Sequence, residues 1–360
     1  MNNNNNPVSL FRKRWNKFRS LKRGYYSFIF IISCYLLSFI LPIFVGRSAL
    51  IVKYKGEFYF PVFKYYSASF FNPSTSENET SEKKILQGEA NYRLLKKQFM
   101  NDGKDNLVIL PLYPFGPEEN LLSETEGKPP HKPSLLHFFG TDDRGRDVFS
   151  RLLYGFRVSM TFALLVTSFA YIIGIIFGAV LGYFGGVIDI IGQRFIEIWS
   201  TLPFLYVIII ISSVFTPNFL LLSVILTIFG WMGISYYIRG EFYREKARDY
   251  VLAAYVSGAG SGRIMLRHIL PNSLTPVISF APFAIVGNIS SLVALDYLGF
   301  GLPPPTPSWG ELINQGMQNI DNWWLVVFPL SALFLTLLLI VMIGEAIREA
   351  VDPKIYSRLR

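Results

Sequence analysis

The chain has little of what most enzymes use. It holds one cysteine, Cys34, and three histidines, His131, His137 and His268. A single cysteine excludes an intramolecular disulfide and a cysteine metal cluster. The histidines are too scattered to suggest a metal site, and none is expected. No G-x-x-x-x-G-K-[S/T] loop is present: Gly103-Lys104 and Gly127-Lys128 have no glycine five residues earlier and no Ser or Thr after. That route to ATP hydrolysis is excluded. Gly258-Ala259-Gly260-Ser261-Gly262 follows no strand and is not a dinucleotide fingerprint. No nucleophile triad is visible, so no catalytic residue is expected. Charge is scarce too, at 16% of residues. It is also unevenly placed: residues 1–24 contain no acid, and residues 299–322 contain no Lys or Arg.

What fills the chain instead is apolar. Hydrophobic residues make up 51%, and mean hydropathy is +0.35. Several runs of about 20 apolar residues match the ~30 Å hydrocarbon core. They lack the alternation of a barrel strand. The expectation is an all-α polytopic membrane protein with six spans. The first is Tyr25 to Phe44, and five more follow: Val158 to Phe184, Phe195 to Val214, Phe219 to Tyr237, Val277 to Leu298 and Trp324 to Ile343. Gly174, Gly178, Ala179 and Gly182 let helices approach closely. Pro203 predicts a kink in the third span. Trp323 and Trp324 suit a membrane interface.

The net charge of +9 would suggest nucleic acid in a soluble protein. Here its placement sets orientation, because Lys and Arg of short loops stay cytoplasmic. Residues 1–24 carry Arg12, Lys13, Arg14, Lys17, Arg19, Lys22 and Arg23 after a poly-Asn run. The 239–276 loop holds Arg239, Arg244, Lys246, Arg248, Arg263 and Arg267, and the tail holds Arg348, Lys354, Arg358 and Arg360. Both termini are therefore expected inside, and no nucleic acid is expected as a partner. The organisation expected is a cytoplasmic N-terminus (1–24), a first span (25–45), a small, loosely built extracytoplasmic module (46–157), a core of five spans (158–346) and a cytoplasmic tail (347–360). Within the module, Ile51 to Phe63 places aromatic and β-branched residues around a Lys-Gly turn, which predicts a hairpin. Asn72 to Lys84 is rich in Ser, Thr, Glu and Asn, which predicts a flexible stretch; Asn78-Glu79-Thr80 is a glycosylation sequon by pattern.

Four motifs stand out. Asp249 to Asn272 offers helix-forming Tyr250 to Val256, a glycine break, and a second helical piece from about Arg263 to Leu270. That piece puts Met265, Leu266, Ile269 and Leu270 on one face and Arg263 and Arg267 on another. Gly258 permits a turn that a Cβ would obstruct, and Pro271 ends the piece. The segment is either a plain connector or a surface helix offered to a partner's groove, with Ala253 and Ala254 allowing close approach. Phe139 to Ser159 sets Asp142, Asp143 and Asp147 among Arg144, Arg146 and Arg151. It is an acid/base or cation site, or a charge-balanced amphipathic helix at the membrane surface, which is the favoured expectation. Leu295 to Glu311 has too many prolines for a regular helix. Arg194 and Glu197 form an i,i+3 pair at the expected start of the third span, more often structural than functional.

The first of these segments resembles the cytoplasmic loop of ATP-binding-cassette importer permeases. Ala253-Ala254 match its alanines, Gly258 follows after three intervening residues, and Leu270-Pro271 closes at the right distance. Leu252 stands where that loop often has Glu, and His268 where it has Ile. Gly140-Thr141-Asp142 through Val148 resembles the segment before the second span of dipeptide and oligopeptide permeases. Leu298 to Gly310 resembles their Pro-Pro-x-Pro-Ser-Trp-Gly segment, and Arg194, Glu197 and Pro203 resemble their Arg-x-x-acid-x5-Pro pattern. The long first loop looks most like the YejE type, whose systems import oligopeptides and related antimicrobial peptides.

The resemblance implies a type I importer permease fold in a bacterial cytoplasmic membrane. It implies a second homologous permease, two ATPase domains and an extracytoplasmic solute-binding protein as partners, with membrane lipid around the spans. It implies no bound cofactor on this chain, with ATP and Mg used by the ATPase. Ala253, Ala254, Gly258, Arg263, Arg267, Leu270 and Pro271 are the expected docking residues. Pro203, Asn288, Ser290 and Ser291 are candidates for the translocation path. Peptide import is the expected function; a nickel or other small-solute permease of the same family is the alternative. An ATP-independent channel or secondary transporter is disfavoured, because no inverted repeat and no mid-span carboxylate is visible.

Overall fold

The computed structural model describes residues 10–71, 88–101, 106–122 and 127–352. The poly-Asn start, the Asn72 to Lys84 stretch with its sequon, Gly103-Lys104, and the tail residues Lys354, Arg358 and Arg360 lie outside the described residues. The N-terminal half runs α1 (Leu10–Ser20), α2 (Lys22–Ser38), α3 (Leu41–Phe44), β1 (Ile51–Tyr54), β2 (Glu57–Tyr59), α4 (Ala68–Phe71), α5 (Tyr92–Asn101) and β3 (Leu107–Ile109). Then come α6 (Val148–Phe184), α7 (Gly186–Ser200), α8 (Phe204–Val214), α9 (Phe219–Lys246) and α10 (Asp249–Val256). They are followed by α11 (Ser261–Arg263), a π-helical turn (Ile264–Ile269), α12 (Leu270–Ser273), α13 (Thr275–Leu298), α14 (Trp309–Gln318) and α15 (Trp324–Val351). The chain divides into two compact units. One comprises Met1–Ser33, Val158–Pro303 and Ser331–Arg360, and the other Cys34–Arg157 and Pro304–Leu330.

Among the described residues, α6, α9, α13 and α15 are each long and apolar enough to cross a membrane. Helices α7 and α8 make a fifth crossing if counted as one span bent by 67°. Six spans are therefore more than length and apolarity yield. The expected first span is divided: α2 has 17 residues, roughly 25 Å at 1.5 Å per residue. A turn at Phe39-Ile40 separates it from α3. The expected kink at Pro203 is a full break. Thr201 to Pro203 leave the helix, and Pro203 becomes the N-cap of α8 at φ −72, ψ 103.

The helical unit is held by two kinds of packing. Phe162 and Val166 of α6 meet Ile208 of α8, Leu222, Ile225 and Leu226 of α9, and Leu292 and Leu295 of α13 in one apolar cluster. Along α6, glycines spaced by four residues remove side chains where α9 presses in. A Cβ on Gly174 would lie 2.5 Å from the Trp231 carbonyl, on Gly178 2.5 Å from that of Ser235, and on Gly182 2.6 Å from that of Arg239. Backbone meets backbone along this seam, as in membrane helices that pack through small residues.

The second unit corrects the all-α expectation and the loosely built module. Strand order is β2-β1-β3, antiparallel throughout. Lys55 (φ 52) and Gly56 (φ 88) form the two-residue turn of the expected hairpin, both in the left-handed region that this turn type requires. Val52 faces Tyr59 on one side and Val108 on the other. Tyr92, Leu95 and Phe99 recur at helical spacing on α5 and cover Val52 and Val108. The module thus has its own core.

Candidate functional site

The segment after α9 is wired inward on one side and open on the other. Val251 of α10 and Ile264 and Ile269 of the π-turn are buried against Ile238 and Phe242 of α9. The Tyr250 hydroxyl donates to Glu245 Oε2 at 2.8 Å, and Asn272 Nδ2 donates to Tyr250 Oη at 3.1 Å. Burial, then the bond to Glu245, pushes the Tyr250 phenol above its ordinary pKa, which keeps it a donor. The open side carries Leu252, Tyr255, Val256 and Leu266, exposed by 55%, 71%, 85% and 69%. Ala253, Gly258, Arg263, Arg267 and Pro271 are exposed beside them, while Ala254, His268 and Leu270 are half-buried.

Gly258 sits at φ +80, where a Cβ would be strained although nothing lies within 4 Å. Its need for glycine is conformational. Two expectations for this segment are corrected. Pro271 does not stop the helix: it occupies the first turn of α12, directly after the π-turn. There the Leu270 N–H reaches back five residues to the Met265 carbonyl. Such a turn absorbs the missing donor and the ring that an α-helix would reject. The wider turn also changes the faces. Ile264 and Ile269, five apart, share the buried side, and Leu266 points outward.

Near the same end of α9, Asp189 of α7 accepts from Arg239 Nε at 2.5 Å and Nη2 at 2.6 Å, and from Tyr243 Oη at 2.6 Å. Sequence reasoning missed this clamp, since no spacing rule links residues 50 apart.

In the other unit, two sequence motifs prove to be one network. Residues 140–147 are not an amphipathic surface helix, because α6 begins at Val148. Arg146 Nε donates to Asp142 Oδ2 at 2.6 Å, and its Nη2 to Glu311 Oε1 at 2.9 Å. Arg151 Nη2 donates to Glu311 Oε2, and its Nε lies 3.6 Å from Asp142 Oδ2. Asp142 and Arg151 are fully buried, and Arg146 nearly so. Arg151 also donates to the Pro305 and Thr306 carbonyls, and Trp309 Nε1 to the Leu152 carbonyl at 3.0 Å. Asp147 is spoken for separately, by Tyr113 Oη at 2.6 Å and His137 Nδ1 at 2.9 Å. The proline-rich stretch is thereby fastened to the start of α6. Asp143 stays half-exposed, its carboxyl raised by burial and by the charge of Asp142.

Residues 174–356 match the model of a family described as the binding-protein-dependent transport system inner membrane component. An inner membrane ABC transporter permease protein, YejE of Escherichia coli, is 39% identical over 96% of this chain and 97% of its own length. This chain belongs to that permease family. A peptidoglycan transport system permease, YejE of Agrobacterium fabrum, is 35% identical over 95% of this chain and 93% of its own. A dipeptide transport system permease, DppC of Bacillus subtilis, is 34% identical over 69% and 78%. The permease is thus a multi-pass protein of the inner membrane, most like the YejE type, as its long first loop suggests.

The expected path residues of the permease do not form one face. On α13, Asn288 and Ser291 lie ~60° apart, but Ser290 lies ~160° from Asn288. Asn288 Nδ2 is engaged with Thr167 Oγ1 at 2.9 Å, and Ser290 is exposed. The Arg194–Glu197 pair exists, at 2.5 Å, with side chains 73% and 51% exposed. It lies in the second half of α7 rather than at a span's start. Ile196 beside it packs on Ala170 and Trp231. Trp231 is roughly 18 Å from one end of α9 and 22 Å from the other. Glu197, next to Ile196, is thus near the level of the middle of α9.

Proposed function

We propose that this chain is one permease subunit of an ATP-driven importer of oligopeptides or peptide-like compounds. The carrying observation is the two-sided 249–273 segment. Its apolar side chains and exposed arginines are free for a soluble partner, while its buried side is packed on α9. Two ATPase domains, using ATP and Mg, dock beneath the transporter, and one of them takes Ala253, Ala254, Gly258, Arg263, Arg267, Leu270 and Pro271 in a cleft. A second homologous permease covers the apolar faces of α7 and α8, where Ile191, Ile210 and Val214 are each more than 60% exposed. A solute-binding protein delivers cargo from outside. The chain crosses the membrane six times, with α2 as the short first span and both termini cytoplasmic. ATP binding closes the motor, and the docked segment moves with α9 as a rigid body. The names of the Agrobacterium and Bacillus relatives support a peptide-bearing cargo.

Reconstitution tests this directly. The purified chain alone is expected to hydrolyse no ATP, and vesicles holding the full transporter are expected to take up peptide only with ATP. Uptake without ATP, by this chain alone, contradicts the proposal.

A further inference from the structure

Helix α7 carries a polar stripe that lipid cannot face. At 3.6 residues per turn, Gln193, Arg194, Glu197, Ser200 and Thr201 fall along one flank, within ~120° of arc. Ile188, Ile191, Phe195 and Ile198 fall along the other. The buried edge, Asp189 and Ile196, is turned to Arg239 and Trp231 of α9. The stripe is not turned inward. Arg194, Glu197, Ser200 and Thr201 are exposed, while Gln193, on the edge nearest α9, is half-buried, and its Nε2 is buried without a hydrogen-bond partner among the described residues.

Depth decides what meets it. The stripe passes the level of Trp231, mid-way along α9, where an ionised side chain against lipid is strongly disfavoured. It runs into the break at Thr201 to Pro203, itself exposed. Irregular backbone at membrane depth persists only inside protein or along a water-filled cavity. Charge and broken backbone therefore call for the same surroundings, and they are contiguous.

We infer that this stripe lines the aqueous path of the assembled transporter, and that Arg194 and Glu197 form a weak site for the two charged ends of a peptide. The ligand chemistry rests on the importer function proposed above; the wet path does not. Arg194 offers a planar fork to a carboxylate. Glu197 offers a carboxylate to an ammonium group. When empty, the two neutralise each other at 2.5 Å. Cargo must displace that pairing to bind, which keeps the site weak, and a path needs binding weak enough for release.

Two measurements test the inference in the assembled transporter. In a Cys34→Ala background, Arg194→Cys, Glu197→Cys and Ile198→Cys are each treated with a charged, water-soluble thiol reagent. Positions 194 and 197 are expected to react at least about tenfold faster than 198, whose flank faces lipid or the partner permease. Equal or slower reaction at 194 and 197 overturns the path. Peptide uptake by Arg194→Gln and Glu197→Gln is then compared with wild type. Each ratio to wild type cancels recognition by the delivery protein. Arg194→Gln is expected to raise the half-saturating concentration about tenfold for a free C-terminus but not for its amide. Glu197→Gln should do so for a free N-terminus but not for its acetylated form. Equal changes for all forms, or none, overturn the peptide site. If the Gln variants fail to assemble, the swapped pair Arg194→Glu with Glu197→Arg keeps the ion pair, and unchanged half-saturation in it also overturns the site. Wild-type transporter that takes up no peptide overturns the importer function instead, and the labelling result stands separately.

Discussion

Glu311 is the point at which the network of Asp142, Arg146 and Arg151 closes. Its carboxylate takes both Arg146 and Arg151, two buried cations that Asp142 alone would otherwise serve. Breaking a buried pair on one side leaves an uncompensated charge, so Glu311→Ala should cost about 3–5 kcal/mol. A thermal unfolding series in detergent checks this, and an unshifted melting temperature contradicts it. Gly258 makes a finer comparison with Gly260. Both have open space for a Cβ, but only Gly258 has a positive φ. Gly258→Ala should cost about 1–2 kcal/mol, while Gly260→Ala should be neutral or slightly stabilising. At this scale the sequence exposed identities better than partners. Asp142, Arg146 and Arg151 stood out as a charged cluster, but Glu311 lies 160 residues beyond Arg151. Charge balance within a short window looked complete without it.

The seam between α6 and α9 depends on three glycines, and its spacing of four was visible in the chain. Gly178→Leu should force the helices apart by the width of a side chain that has nowhere to go, since the Ser235 carbonyl and Ile238 occupy that space. The expected outcome is loss of monodisperse protein on gel filtration of a fluorescent fusion; Ala at the same site should be milder. Other elements were less legible. The π-turn before Pro271 was hidden because the faces were assigned at 3.6 residues per turn, and a turn reaching back five residues redistributes them. The third strand, β3, was missed because its three residues pair with a segment about 55 positions away. The hairpin was legible because its turn is local.

At the scale of the molecule, hydropathy identified the long apolar helices, and short-loop charge proposed an orientation. It overestimated the continuity of the first span, since an apolar run gives no sign of the turn at Phe39-Ile40. Orientation is open to a direct check. Ile320, 77% exposed in the loop that lacks Lys and Arg, is expected outside. In a Cys34→Ala background, Ile320→Cys should react with an impermeant thiol reagent added to intact cells; labelling only after the inner face is opened would reverse the topology. Path residues remained the least legible: Asn288, Ser290 and Ser291 were grouped by polarity, and the helix turns Ser290 away from the other two.

The central claim is that the 249–273 segment transmits the motor's stroke. Gly258→Trp in the fully assembled, reconstituted transporter tests it most directly, with ATP hydrolysis and peptide uptake measured on the same vesicles. The expected result is a variant present in the membrane at the wild-type level that still hydrolyses ATP but has lost most of its uptake. Uptake per ATP equal to wild type would contradict the account.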